Sequence, residues 1–176
     1  MRYLPMIIIF IPILFFTVRA NLASRSIYQR ISLISIAVYL IFIDYFCFTP
    51  SYLSSANFAT LHPVWIGLAP TNSIPFAGGI GADFFLNILM TVPLGIYLGL
   101  FAKNTNLKQS LQLGLLTGLT IESAQFIADQ VVDLKRWVDI NDIITNCLGV
   151  IVGYLIFKLV ARLLPKLVQT FAVRLN

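Results

Sequence analysis

The chain has 176 residues, of which 59% are hydrophobic and only 11% charged, with a formal net charge of +5. Soluble domains carry about 25% charged residues, and a soluble core of this size has no room for so much apolar surface. A disulfide-built secreted scaffold, a disordered chain and a nucleic-acid-binding domain are thereby excluded, which leaves an integral membrane protein.

A hydrocarbon core ~30 Å thick needs about 20 apolar residues per helical span. Five apolar runs meet or approach that length: Tyr3–Val18, Ile31–Phe48, Phe84–Ala102, Leu111–Ala128 and Ile143–Leu164. The alternating ten-residue segments of a membrane barrel are missing. The expected fold is therefore all-α, a polytopic membrane bundle of about five transmembrane helices forming one domain over residues 1–176. The first run is short and contains Pro5 and Pro12, so it also has the layout of a signal peptide. Cleavage there would leave Arg19, Arg25 and Arg30 outside, against the usual charge bias.

After the second run comes the one long connection, Thr49–Ala82, rich in Pro, Gly, Ser and Thr but also carrying Phe58, Trp65 and Phe76. Connections this long are functional or disordered, and the aromatic content predicts packing against the membrane face. Tyr45, Tyr52 and Trp137 suit an interfacial belt. His62, the single histidine, reads as an interfacial loop residue. Cys47 and Cys147 are either a disulfide pair or, the favoured reading, buried free thiols.

Basic residues set the orientation. Arg19, Arg25, Arg30, Lys103, Lys108, Lys158, Arg162, Lys166 and Arg174 fall on one side of a five-span topology, and Arg2, Lys135 and Arg136 on the other. The positive-inside rule then places the amino terminus outside and the carboxyl terminus in the cytoplasm. All seven acids lie toward the opposite, outer side: Asp44, Asp83, Glu122, Asp129, Asp133, Asp139 and Asp142. Asp129 and Asp133 read as solvated loop charges, and Asp44 as an interfacial acid of little consequence.

Helical spacing gathers the rest into three stripes. They are Asp83, Asn87, Thr91, Gly95 and Gly99; Gly114, Gly118, Glu122, Gln125 and Asp129; and Asp139, Asp142, Asn146, Gly149 and Gly153. In each, small residues occupy the cytoplasmic half and polar ones the outer half. Lipid tails are as apolar as leucine, so membrane helices associate by close packing at small-xxx-small pairs. Tight glycine halves would bring Asn87, Glu122, Gln125, Asp139, Asp142 and Asn146 together below the outer surface, with Lys135 and Arg136 at the rim. Such residues also serve as interhelical hydrogen bonds worth about 0.6 kcal/mol each. Three clustered carboxylates, however, repel one another without a cation or a substrate, which favours a ligand site. Oxygen ligands of this kind suit a divalent cation. Glu122, Asp139 and Asp142 are candidate acid–base groups, and Arg136 is the expected partner of an acid and a candidate grip on phosphate.

The pattern Asp83-Phe-Phe-Leu-Asn87…Pro93-Leu-Gly95, Glu122-x-x-Gln125 and Arg136-x-x-Asp139-x-x-Asp142-x-x-x-Asn146-x-x-Gly149, preceded by Asn72-x-x-Pro75-Phe76, resembles the VanZ-like family over residues 70–155. The resemblance implies a small multi-pass protein of the bacterial cell membrane. It also implies an association with low-level resistance to teicoplanin, a lipid-bearing glycopeptide acting at the outer membrane face. The expected partners are membrane lipids, a lipid-linked envelope precursor or the lipoglycopeptide itself, with no nucleic acid and no resident cofactor beyond a divalent cation at the carboxylates. The leading expectation is a binding module whose pocket holds a lipid headgroup or the drug. The alternatives are a membrane enzyme modifying a lipid-linked envelope substrate and a purely structural membrane partner. Transport ranks lower, because the paired inverted halves of carriers are missing.

Overall fold

The protein is described by a computed structural model covering residues 2–22, 26–50, 64–77, 79–102 and 104–173. Arg25, Tyr52, Phe58, His62, Lys103 and Arg174, each assigned a place above, lie outside the described residues. The five expected runs form helices α1 (Leu4–Leu22), α2 (Ile27–Phe48), α3 (Ala82–Phe101), α4 (Leu107–Val132) and α5 (Ile140–Leu163). α2 and α4 begin before their apolar runs because their first turns are closed by polar caps. Ser26 with Gln29, and Asn106 with Gln109, each form a reciprocal capping box, which satisfies amide groups the helix start leaves open.

By length and composition, α1, α2, α3 and α5 contain segments able to cross a membrane. The difference from five lies in α4, whose 26 residues are long enough but include Gln109, Gln112, Thr117, Glu122, Gln125 and Asp129. It nonetheless runs the length of the bundle antiparallel to α5, with Gly114 against Cys147, Gly118 against Ile143 and Glu122 bonded to Asp139.

The glycines set the packing. A Cβ at Gly95 would strike the carbonyl oxygen of Val150, one at Gly149 the carbonyl of Ile88, and one at Gly153 the carbonyl of Val92. α3 and α5 therefore meet backbone to backbone. Thr91, fully buried, adds a hydroxyl bond of 3.0 Å to the carbonyl of Asn146 across this seam. Gly114 and Gly118 also bring α4 against the backbone of α5, at Cys147 and Ile143, less tightly than α3. α5 is thus the middle of a three-helix unit, and α1 and α2 pack beside it as a pair. Pro93 removes the N–H that would bond the Leu89 carbonyl, and at the same level Tyr39 of α2 donates its hydroxyl to the Met90 carbonyl at 3.0 Å.

Two ends are defined by contacts between distant parts of the chain. At one end Arg2 pairs with Asp133 at 3.1 Å, so the chain start and the α4–α5 connection lie together, as the charge count requires. At the other end a short helix not anticipated from sequence, α6 (Pro165–Phe171), turns back beneath the bundle. Ser32 donates to the Phe171 carbonyl, Gln29 to that of Ala172, and the Val173 N–H to that of Leu100.

The long connection contributes a feature that apolar-run analysis passes over. Strands β1 (Val64–Ile66) and β2 (Ala69–Asn72) form an antiparallel hairpin, and β2 pairs in parallel with β3 (Val138–Asp139). Gly67 turns the hairpin at φ +63°, where a Cβ would run into the Gln130 side chain. Gln130 clamps the turn to α4, donating to the Ile66 carbonyl at 2.7 Å and accepting from the Leu68 N–H at 3.3 Å.

Candidate functional site

The site is built by the turn between α4 and α5. α4 ends on Asp133 in the left-handed conformation, φ 52°, and Lys135 follows at φ 59°. Asp129 holds this turn together, its carboxylate accepting the Arg136 N–H at 3.3 Å. The expectation that Asp129 is solvated is corrected, because it is completely buried within the turn it stabilises. Asp133 matches its expectation, sharing Arg2 and Lys135 at the surface.

Arg136 differs from its expected role as the partner of an acid. Its guanidinium donates to the carbonyls of Phe46 and Thr49, at the carboxyl end of α2. Those carbonyls have no intrahelical donors, and a cation there also meets the negative end of the helix dipole. Burial draws the Arg136 pKa below its ordinary value, against the opposing pull of Asp142, Asp129 and Glu122. An arginine remains charged through such a shift.

Asp139 is also placed differently from the expected pocket wall. It is the N-cap of α5, its Oδ1 accepting from the Asn141 N–H at 2.8 Å and from Asn72 Nδ2 at 3.0 Å. Its own N–H donates to Glu122 Oε2 at 2.9 Å. The carboxylate is taken up by capping and by anchoring β2, so it is not among the residues lining the cavity described below. The Phe76 N–H completes the anchor by donating to Asn141 Oδ1 at 2.9 Å. The Asn72-x-x-Pro75-Phe76 element is therefore a latch onto the start of α5.

The other six expected residues line one cavity of about 550 Å³ between α2 and the three-helix unit, within the usual range of small-molecule sites. Asn87 donates to Asp142 Oδ1 at 2.6 Å, and Gln125 donates to the Cys47 carbonyl at 2.8 Å. Glu122, Gln125 and Asn146 are 3, 5 and 1% exposed, and each keeps a side-chain oxygen with no hydrogen-bond partner among the described residues. Unsatisfied buried acceptors cost roughly 1–3 kcal/mol each; Asp44 Oδ1 and Asp129 Oδ2, outside the cavity lining, are in the same condition.

The opposite side of the cavity is apolar. Phe42 and Phe46 of α2 and Leu86 and Leu89 of α3 line it and are also exposed on the outside of the bundle. They form a lateral mouth that sequence reading missed. Its signal was the four-residue repeat of Phe42 and Phe46 on the face of α2 bearing Tyr39. Asp83, noted above as a stripe and motif member but not as a site residue, stands at the loop end of the cavity, and Tyr39 with Pro93 closes its floor.

Among the described residues, His, Cys, Asp and Glu side chains nowhere gather in threes close enough to hold a metal ion. The expected carboxylate cluster is parted because Asp139 turns to its cap. Cys47 and Cys147 are buried free thiols, Cys47 against the Met90 sulfur at 3.9 Å and Cys147 near the Leu111 carbonyl at 3.8 Å. Asp44 is buried rather than interfacial and lies outside the cavity lining.

Residues 4–161 match the VanZ/LLP1 family. No curated protein and no solved structure matches the chain.

Proposed function

The chain belongs to the VanZ/LLP1 family, and from that premise we propose that it is a membrane binding module whose cavity holds the polar head of an envelope lipid or of a lipid-linked molecule. The observation that supports this is the division of one cavity into a buried polar side and an apolar side whose residues are also exposed on the outside of the bundle. A soluble metabolite has no use for a mouth of Phe42, Phe46, Leu86 and Leu89. An amphiphile has a use for both sides. From Asp83 to Pro93 the cavity follows ten residues of α3, about 15 Å at 1.5 Å per residue, or roughly half of a ~30 Å hydrocarbon core. That depth fits one leaflet, and the orientation expected from the basic residues makes it the outer one. There the module would alter how a lipoglycopeptide such as teicoplanin meets the membrane.

The test compares wild type and Asp142→Ala in a teicoplanin-susceptible bacterial host. Removing the Asp142 carboxylate frees Asn87 and empties the centre of the polar wall. The expected outcome is a change in teicoplanin susceptibility with wild type that disappears in the variant at equal membrane level, while total lipid composition stays the same in both. A lipid species that appears or vanishes only with wild type would replace binding by the enzymatic alternative.

A further inference from the structure

Resting on the binding reading, we infer that the α2–α3 seam is a path by which a glycerolipid of the surrounding bilayer passes between the two leaflets, with Tyr39 as its gate. The cavity described above has a continuation. A second cavity of about 290 Å³ lies in the same seam toward the opposite end of the bundle, lined by Ser32 and Ser35 of α2, Tyr97 and Leu100 of α3, and Phe171 of α6. Pro93 borders both cavities. From Asp83 to Leu100 the two follow seventeen residues of α3, about 26 Å at 1.5 Å per residue, against a hydrocarbon core of ~30 Å. A site that holds a head in one leaflet has no use for the second half.

The residues along the seam suit an amphiphile in transit. On α2, Ser32, Ser35, Tyr39, Phe42 and Phe46 recur at three-and-four spacing, so one face of the helix borders both halves. Polar groups occur in each half, with Asp83, Asn87 and Asp142, none of them buried, in the outer one, and Ser35 and Tyr97, also unburied, in the inner. Phe42 and Phe46 in the outer half and Ile31 in the inner are exposed on the outside of the bundle. A head therefore moves along the seam while its chains stay in the bilayer. Such downhill passage needs no inverted halves of a carrier.

Two closures interrupt the path. Tyr39 donates to the Met90 carbonyl at 3.0 Å, and its ring lies 5.7 Å from that of Tyr97, which borders the inner cavity. At the inner end Phe171 is held by Ser32 on its carbonyl at 2.8 Å and by the Tyr28 ring at 5.4 Å. α2 is the element able to yield. It is tied near its outer end by Arg136 and Gln125 and at its inner end by α6, whereas α3 and α5 meet backbone to backbone. Swinging Tyr39 off the Met90 carbonyl costs one hydrogen bond and joins the two cavities.

The full chain is reconstituted in vesicles of phosphatidylethanolamine and phosphatidylglycerol carrying a trace of phosphatidylglycerol with a fluorescent NBD group on one acyl chain. Dithionite, which does not cross the bilayer, bleaches the outer leaflet and then whatever arrives there, and retained calcein excludes a leak. Wild type should bleach beyond the outer-leaflet share seen without protein. Tyr39→Phe should raise the transfer rate about threefold and Tyr39→Ala about tenfold, as first the hydroxyl and then the ring contact is lost. Ser35→Phe, which fills the inner cavity from an exposed position, should return transfer to the protein-free rate. Native mass spectrometry of the same variant in detergent should still show phosphatidylglycerol retained as in wild type, and Leu86→Trp at the outer mouth should lower both retention and transfer. If wild type and both Tyr39 variants transfer no faster than protein-free vesicles, or if Ser35→Phe leaves transfer intact, the path is overturned, and retention sensitive to Leu86→Trp leaves the binding reading standing. If retention does not respond to Leu86→Trp, the binding reading falls and the path with it. Should Tyr39→Ala fail to fold, Tyr39→Phe and Ser35→Phe still decide.

Discussion

The two faces of α3 meet their neighbours in opposite ways. Toward α5, glycines bring backbone against backbone, with Gly95, Gly149 and Gly153 leaving no space a methyl group would fit. Toward α2, contact is made by Tyr39 on the Met90 carbonyl and by Cys47 against Met90, and a cavity remains above them. In a bilayer there is no hydrophobic drive to close a gap between helices, because lipid fills it as well as leucine does. Close packing is therefore found where small residues permit it, and cavities persist where large side chains hold helices apart. The division of labour follows from this: the α3–α5 seam is scaffold, and the α2–α3 seam holds the cavity.

The contrast is broken most severely at the scaffold seam. Gly153→Leu sets a side chain against the Val92 carbonyl and Gly95, both backbone, so the usual overpacking cost of 1–3 kcal/mol should reach about 3 kcal/mol. Unfolding of the purified protein in detergent should show that loss, and in cells the variant should accumulate poorly. An intermediate effect is expected where α2 is tied to the unit. Arg136→Met removes charged hydrogen bonds to the carbonyls of Phe46 and Thr49, worth about 2 kcal/mol. Protease sensitivity near residue 49 should rise with it. The smallest effect belongs to the mouth. Leu86 is 58% exposed, and Leu86→Ala should change stability by less than about 0.5 kcal/mol. A large loss there, measured by the same unfolding assay, would show the two seams to be alike.

Much of this division was legible in the sequence. Helix ends agree with the apolar runs to within four residues, and the glycine halves of the three stripes became the scaffold seams. Six of the seven expected site residues line one cavity. What escaped was decided by backbone demands that periodicity does not carry. Asp139 lies on the right stripe, yet the open N–H groups of α5 and the arrival of β2 claim its carboxylate. Asp129 looks like a loop charge until the left-handed Asp133 and Lys135 fold the chain back over it. The strands have three, four and two residues, too short for any alternation to register. Arg136 was assigned to an acid because charge is visible in a sequence and the exposed carbonyls of a distant helix end are not.

The line Asn72, Asp139, Glu122 gives the hairpin and the cavity a shared hinge pin. One backbone N–H, that of Asp139, bonds Glu122 Oε2, while the same residue's carboxylate holds Asn72. A guest that draws Glu122 away competes directly with that N–H, and so loosens the first turn of α5 together with the latch. By thermodynamic reciprocity, anything that presses the hairpin down steadies Glu122 by the same free energy. Under the binding reading, occupancy inside the bundle and the seating of its cap would be two readings of a single equilibrium.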